Sequence, residues 1–254
     1  MVVPRDLLRL VLPLHRLARK DMAKPPVKKT NWFAIWTSIG VVVAVAAIAI
    51  VVVFSNQAAS KLPAENIPAA VDAETGAVTI GEGEDTVSVF VDFMCPNCKN
   101  FETNFGGDLR DLAKDDKISL AIHAVSILDN ASQGTKYSTR AANAFYCVAE
   151  EKPELTMSYM DALFAKQPSE QTVGLSDDRL IELASNLGVD IKACQTEQTF
   201  ADFVTKQTRN TMPRNPQDNG LYTPTVLIND EYIQLGTLTE TYFTDLFAKA
   251  ASGE

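Results

Sequence analysis

The chain has 254 residues, 46% of them hydrophobic, and a net charge of −9. That length suffices for one ordinary domain with additional segments. The charge is uneven: residues 1–60 hold eight Lys/Arg and two acidic residues, a balance of +6, so the remaining residues carry −15. Such an acidic remainder argues against nucleic acid as a partner, because polyanions are bound by basic surfaces.

The chain begins with a basic segment, residues 1–31, and an uncharged apolar run follows at residues 32–54. The 23 residues of this run are enough to span a bilayer as one transmembrane helix. A buried core helix and a cleaved signal peptide are the alternatives. Because lysines precede the run, the positive-inside rule predicts a cytoplasmic N-terminus and an extracytoplasmic remainder at the cell membrane. Residues 1–21 are either a basic amphipathic helix on the membrane or a stretch upstream of a natural start at Met22.

A linker and two strands are predicted next. Residues 55–75 are small and polar with scattered prolines, which predicts a tether, and residues 76–254 are predicted to form the folded domain. Residues 77–81 predict a short first strand, and residues 87–93 predict a buried central strand. Asp92, near the end of that strand, is interpreted as a solvent-facing residue rather than as a buried proton acceptor.

The central strand leads into Cys95, Pro96, Asn97 and Cys98, a Cys-x-x-Cys motif at the start of a predicted helix. Pro96 suits the first helical position, because proline already has a helical φ there. The unpaired N–H groups and the dipole of the helix would stabilise a thiolate at Cys95. Cys98 lies one turn away on the same face, so one thiol can attack a disulfide and the other can resolve it.

A Cys-x-x-Cys motif alone also serves as half of a zinc site or as a structural disulfide. The chain has only two histidines, His15 and His123, and no second such motif, so we expect no metal and no cofactor. His123 lies within an apolar strand predicted at residues 118–127 and is interpreted as structural. All four cysteines follow the apolar run, which predicts that they lie in the oxidising compartment, where disulfides persist.

The rest of the domain is predicted to be largely helical. Gly106 and Gly107 predict a kink or break in the helix after the motif. Residues 131–212 have a helical pattern, which predicts several helices in succession. A hairpin at residues 219–233 and a closing helix at residues 238–250 complete the chain.

Two further cysteines, Cys147 and Cys194, lie in this predicted helical region. Because they are the only cysteines outside the motif, we expect a structural disulfide between them. Two buried free thiols that pack as small hydrophobic residues are the alternative.

The order of strand, motif helix, strand, several helices, Thr-Pro-Thr hairpin and helix resembles the DsbA-like branch of the thioredoxin superfamily. The resemblance covers about residues 76–252 and rests on the motif together with Thr223 and Pro224. It implies an α/β thioredoxin fold with an inserted helical domain. It also implies that Cys95 is the exposed nucleophile, that Cys98 resolves, that Pro224 is the family's cis-proline beside the disulfide, and that Thr223 tunes the direction of exchange.

Two positions depart from the best-known oxidases of this family. Those oxidases carry a histidine inside the motif, where this chain has Pro96 and Asn97. They also carry a buried glutamate six residues before the first cysteine, where this chain has Val89. The oxidising strength of the site therefore stays open at this point.

We predict a membrane-anchored, extracytoplasmic thiol:disulfide oxidoreductase that introduces disulfides into secreted or cell-surface proteins with reduced cysteines. The anchored form with a second cysteine pair resembles actinobacterial members of the family. That resemblance implies reoxidation by a quinone-linked membrane partner related to vitamin K epoxide reductase. The alternatives are a disulfide reductase or isomerase using the same site, a non-catalytic binding module, and an extracytoplasmic metal carrier.

Overall fold

The computed structural model of the protein describes residues 67–72 and 75–252. The predicted transmembrane helix at residues 32–54 lies outside the described residues, as does most of the predicted linker. Within the two described ranges, none of the helices is long and apolar enough to cross a membrane.

Strands and helices alternate in the order typical of an α/β fold, with a run of helices between the third and fourth strands. The strands are β1 (Val78–Ile80), β2 (Asp85–Val91), β3 (Ile118–Ala124), β4 (Thr225–Ile228) and β5 (Glu231–Tyr232). The helices are α1 (Pro96–Phe101), α2 (Gly107–Lys114), α3 (Tyr137–Glu151), α4 (Thr156–Ala165), α5 (Asp177–Ser185), α6 (Lys192–Glu197), α7 (Ala201–Asn210) and α8 (Tyr242–Ser252).

The predicted central strand, β2, lies in the middle of a five-stranded sheet with the order β1-β3-β2-β4-β5. It pairs in parallel with β3 and antiparallel with β4, while β1 and β5 are the antiparallel edges. Val87, Val89 and Val91 alternate onto one face of β2 and are buried there, as the two-residue period of a strand requires. The same hydrophobic core includes Phe101 of α1 and Phe243 of α8, so these helices cover that face.

The helix after the motif does not break at Gly106 and Gly107, but its regular α-helical geometry is interrupted where a kink or break was predicted. It widens into a π-helical segment, Glu102–Gly106, and then resumes as α2. The carboxylate of Glu102 folds over Gly106 into the space that a Cβ would occupy, and Arg110 pairs with that carboxylate. The absence of a side chain at Gly106 therefore makes room for a partly buried ion pair at the wide turn.

The inserted helices α3 to α7 lie between β3 and β4 in the chain. Cys147 of α3 and Cys194 of α6 form a disulfide with an S–S distance of 1.99 Å. Phe93, in the turn between β2 and α1, packs its ring against Phe145 of α3 and Phe164 of α4 at centroid distances of 5.7 and 5.2 Å. The insertion therefore rests directly against the segment that enters the motif.

The C-terminal hairpin brings a second segment to the motif. Asn229 and Asp230 form the tight turn between β4 and β5 with φ values of 49° and 66°, as short hairpin turns require. β4 pairs with β2, and Phe90 lies opposite Thr225 in that pairing. Because Thr223 and Pro224 immediately precede β4, this register carries them to the end of β2 from which the motif starts.

Candidate active site

The motif occupies the N-terminus of α1, as predicted. Cys95 is the N-cap residue with φ −77° and ψ 116°, and Pro96 is the first helical residue. Cys95 and Cys98 are both free thiols. Cys95 is 6% exposed and Cys98 is 0% exposed, while Pro96 and Asn97 are exposed. The resolving cysteine is therefore fully covered, but the expectation of an exposed nucleophile is wrong, because Cys95 is itself nearly buried.

The segment before β4 covers Cys95. The Thr223–Pro224 peptide bond is cis. The carbonyl of Thr223 accepts a hydrogen bond from Sγ of Cys95 at 3.1 Å. The hydroxyl of Thr223 is buried and has no hydrogen-bond partner among the described residues. That hydroxyl is therefore free to donate to Cys95 when the thiol ionises.

The two thiols have opposite shifts in acidity. The pKa of Cys95 is lowered from 9.0 to about 6, chiefly by a hydrogen bond from the Cys98 thiol. Burial opposes this shift, while the Thr223 side chain and the N–H groups of Cys98 and Asn97 add to it. Burial, together with the charge at Cys95, raises the pKa of Cys98 well above its ordinary value. The thiolate at neutral pH is therefore Cys95.

A buried carboxyl group, Asp92, lies behind the motif. It is 0% exposed, and its oxygens accept hydrogen bonds from the Met94 N–H at 2.8 Å, the Leu128 N–H at 2.9 Å and the Ser138 hydroxyl at 2.7 Å. Burial raises the pKa of Asp92 to about 7, against the lowering effect of these hydrogen bonds. The charge at Cys95 adds to the rise. Both ionisation states of Asp92 are therefore populated at neutral pH.

The interpretation of Asp92 as a solvent-facing residue is wrong. β2 ends at Val91, and the chain then turns so that the N–H of Cys95 donates to the Asp92 carbonyl at 3.0 Å. The alternation of the strand stops at this turn, which carries the Asp92 side chain inward and its N–H to within 3.4 Å of Sγ of Cys98. An acidic residue at the end of an apolar strand, just before the motif, was the available signal.

One residue of the inserted helices also reaches the motif. Gln167 follows α4, and its Nε2 donates to the carbonyl of Cys95 at 2.9 Å and to that of Phe93 at 3.2 Å. This residue could not be predicted from the sequence, because Gln167 lies 72 positions from Cys95 and no local pattern points to it.

A sequence profile of the family described as thioredoxin matches residues 74–242 of this chain. The chain belongs to the thioredoxin family. Its fold is the DsbA-like form, in which a helical insertion interrupts the thioredoxin fold, and the predicted fold class is confirmed to that extent.

Solved structures of thioredoxin-family proteins resemble this chain over most of their length. The reduced disulfide bond oxidoreductase DsbG of Mycobacterium tuberculosis is 30% identical with a TM-score of 0.61, over 70% of this chain and 88% of that one. DsbA of the same organism is 29% identical with a TM-score of 0.60, over 70% and 93%. MdbA of Actinomyces oris, a thiol-disulfide oxidoreductase, is 22% identical with a TM-score of 0.59, over 74% and 94%, and shows the fold alone.

A curated relative contains a similar segment within a much longer protein. The serine/threonine-protein kinase PknE of Mycobacterium tuberculosis is 33% identical over 130 residues, which cover 50% of this chain and 23% of the kinase. The chain thus spans less than a quarter of the length of that relative.

A groove of about 320 Å³ opens beside the motif of this thioredoxin-family chain. None of the described residues that line it is charged. They are Asn97, Asn100, Phe101, Asn104, Phe105, Thr223, Pro224, Leu235 and Gly236. The groove therefore combines amide groups with apolar surface next to the covered sulfur of Cys95.

The buried acid of this site lies at a different position from the glutamate of the family's best-known oxidases. Val89, at the position where the family's best-known oxidases carry a glutamate, is buried in the sheet, so the buried acid beside this motif is Asp92. Across residues 67–72 and 75–252, no group of three or more His, Cys, Asp or Glu side chains is placed to hold a metal ion.

Proposed function

We propose that this chain is a thiol:disulfide oxidoreductase that acts as an oxidant, passing a Cys95–Cys98 disulfide to reduced cysteines of secreted or cell-surface proteins. The observation that carries the proposal is the opposite acidity of the two thiols, with a pKa of about 6 at Cys95 and a raised pKa at Cys98. Hydrogen bonds that stabilise the Cys95 thiolate stabilise the reduced protein. A more stable reduced form makes the corresponding disulfide a stronger oxidant.

The exchange proceeds in two displacements. A substrate thiolate attacks Sγ of Cys95, a new S–S bond forms, and Sγ of Cys98 leaves with the electron pair of the broken Cys95–Cys98 bond. A second substrate thiolate then attacks the substrate sulfur of this mixed disulfide, and Cys95 leaves as a thiolate. The substrate loses two electrons and two thiol protons. The motif gains the two electrons and, at Cys98, one proton, while the second proton goes to solvent because Cys95 stays a thiolate.

Asp92 supplies a proton for the first displacement in this proposal. Cys98 leaves into a fully buried position, where an unpaired charge is costly. Asp92 interacts electrostatically with Cys98, and its pKa of about 7 leaves a protonated fraction at neutral pH. Transfer of that proton to Cys98 removes the charge, and the second displacement leaves the remaining negative charge on Cys95, where it is stabilised.

The groove beside the motif is the proposed seat of the substrate segment. It borders Thr223 and Pro224, and a strand-like peptide could pair with that backbone while its neighbouring side chains enter the groove. The uncharged lining suits extended, incompletely folded segments of varied sequence next to a cysteine.

The same proposal locates the catalytic domain outside the cytoplasm, on a membrane anchor at residues 32–54 with a cytoplasmic N-terminus. Its support is the uncharged run with lysines before it, and the Cys147–Cys194 disulfide, a bond that persists in oxidising compartments. A quinone-linked membrane protein related to vitamin K epoxide reductase is the proposed reoxidant. A reporter that works only outside the cytoplasm, fused after Glu254, should be active; silence in a well-expressed fusion contradicts this orientation.

The reduction potential of the Cys95–Cys98 pair tests the proposed activity. An oxidant should equilibrate with glutathione at a potential of about −120 mV, whereas a reductase would have a potential of about −270 mV. A value below about −300 mV would indicate a structural bridge and favour the non-catalytic binding module. The Cys147→Ser/Cys194→Ser variant is the matched control, because it leaves only the motif thiols to report.

A further inference from the structure

A single amide from the inserted helices holds the turn that carries the nucleophile. Nε2 of Gln167 lies 2.9 Å from the carbonyl oxygen of Cys95 and 3.2 Å from that of Phe93. A primary amide has two N–H donors, so Gln167 uses both on one turn. Phe93 is fully buried, and among the described residues its carbonyl has no other hydrogen-bond partner. Loss of the amide would therefore leave a buried acceptor unsatisfied, which is costly.

The contact bears on the thiol as well as on the turn, because Cys95 is the N-cap residue of α1. The carbonyl of Cys95 also accepts the N–H groups of Cys98 at 3.1 Å and Lys99 at 3.3 Å. A third donor on the same oxygen restrains this peptide group and so the backbone of Cys95, from which the side chain extends at the helix N-terminus. The N–H groups of Asn97 and Cys98 at that terminus are among the groups that lower the pKa of Cys95.

We propose that Gln167 is a positioning residue for thiol exchange, which holds the carbonyls of Phe93 and Cys95 and so keeps the Cys95 sulfur aligned with the N–H groups of α1. The inserted helices thereby act on the nucleophile through Gln167, in addition to the hydrogen bond that Ser138 gives to Asp92. This inference rests on the proposed function, since it concerns the reactivity of the same thiol.

Apolar packing also restrains the turn, but it does not provide the hydrogen bonds that the Gln167 amide gives. Phe164, three residues before Gln167, packs its ring against Phe93 at 5.2 Å. That contact restrains the side chain of Phe93 but gives no donor to either carbonyl. Removing the amide while keeping Phe164 therefore separates alignment of the sulfur from attachment of the turn.

Three substitutions at Gln167 form a graded test. Gln167→Leu keeps bulk without donors, Gln167→Glu replaces donors with a negative charge, and Gln167→Lys keeps donors and adds a positive charge. We expect the pKa of Cys95 to rise by about one unit in the leucine variant and further in the glutamate variant. In the lysine variant we expect a pKa at or below the wild-type value. The titration is followed by thiolate absorbance of the reduced protein.

The equilibrium with glutathione should follow the same order. A rise of one pKa unit makes the reduced form less stable and changes the exchange constant by up to about tenfold. Gln133→Leu is the matched control, since Gln133 donates to the carbonyl of Gln171 in the same loop and not to the turn of the motif. That variant should keep the wild-type pKa of Cys95 and the wild-type exchange constant.

The outcomes separate the two levels of the proposal. If the wild-type protein exchanges disulfides but the leucine and glutamate variants keep its pKa and exchange constant, Gln167 has no positioning role. If the leucine variant does not fold, the glutamate and lysine variants decide, and equal pKa values of Cys95 in these two overturn the inference. A wild-type protein without exchange activity contradicts the proposed function itself, whatever the pKa series shows.

Discussion

The protein carries two cysteine pairs that differ in their bonding state and in their separation along the chain. Cys95 and Cys98 lie at the start of one helix and are free thiols. Cys147 and Cys194 lie 47 residues apart on two different helices and form a disulfide. Cys98 and Cys147 are equally buried, so burial does not distinguish the pairs. The difference lies in the groups around the sulfurs. Cys95 is the N-cap residue of its helix and contacts the Thr223 carbonyl, and the buried Asp92 lies beside Cys98.

Loop length separates the two pairs further. Closing the short ring of the motif removes little conformational freedom from the unfolded chain. Closing a loop of 47 residues removes much more, worth about 4 kcal/mol in the chain-entropy model. The comparison predicts that the first pair reacts with substrates and that the second pair stabilises the fold. Each of the following experiments alters one of the two pairs or a group beside it.

The largest effect is expected when a thiol of the motif is removed. Cys98→Ser keeps the attacking thiol but not the resolving one, so mixed disulfides with secreted proteins should accumulate in cells. Cys95→Ser should trap none and should lose essentially all exchange activity, because Cys98 is fully buried and has a raised pKa. Non-reducing gels, with and without dithiothreitol, measure the trapped complexes.

The reverse pattern, with partners trapped by Cys95→Ser and not by Cys98→Ser, would exchange the roles of the two residues. If neither variant traps partners and neither loses activity in refolding a reduced secreted protein, the motif has no redox role. Cys147→Ser is the control and should trap no partner through the motif.

Removal of the second pair should cost stability without removing activity. The Cys147→Ala/Cys194→Ala variant should lose about 4 kcal/mol of unfolding free energy in urea, because its unfolded chain is no longer cross-linked. At a temperature where it stays folded, it should keep wild-type exchange activity. A loss of activity with unchanged stability would show that the pair acts in the reaction. Thiol counting tests the bond itself: four free thiols in mildly reduced, denatured wild-type protein would show that the disulfide does not form.

The smallest effect concerns the buried acid beside the first pair. The pKa of Asp92 in the folded protein, about 7, lies above its ordinary value of 3.8. The contribution of this group to the free energy of unfolding is therefore fully present below pH 3.8 and is lost as the pH rises through 7. Between pH 5 and 7 this loss is about 2 to 3 kcal/mol. Asp92→Asn cannot ionise and should lack this pH dependence of the unfolding free energy.

The control for this measurement is Asp115→Asn, which alters an exposed carboxyl group after α2. It should keep the wild-type dependence of stability on pH. An Asp92→Asn variant with that same dependence would mean that Asp92 titrates as an exposed acid, and the proposed proton transfer to Cys98 would lose its basis.

The sequence alone identified the family, the thioredoxin fold with its helical insertion and the central strand that leads into the motif. These features depend on local patterns: alternating valines in β2, a Cys-x-x-Cys motif with proline at the first helical position, and helical spacing afterwards. Such patterns are visible within short windows of the chain, and the family resemblance is confirmed.

The side chains that tune the thiols could not be predicted in this way. The burial of Asp92 depends on a turn that ends the strand alternation at Val91, and on Ser138, which lies 46 positions away. Gln167 reaches Cys95 only because the insertion folds back over the turn. The sequence pattern contains no periodic signal for contacts of this range, so the chemical environment of the motif became visible only with the fold.

The wide turn at Glu102–Gly106 has a consequence for any attempt to shorten or graft the motif helix. An α-helix advances about 100° per residue, so the additional residue in a π-type turn rotates everything beyond it by about that angle. Deleting one residue there would rewind the segment as a uniform α-helix and turn Leu109 and Leu112 out of phase with the sheet. Either these leucines leave the core or Cys98 turns away from Asp92. The wide turn thus sets the rotation of α2 relative to α1, so that the leucines of α2 face the core while Cys98 of α1 stays beside Asp92.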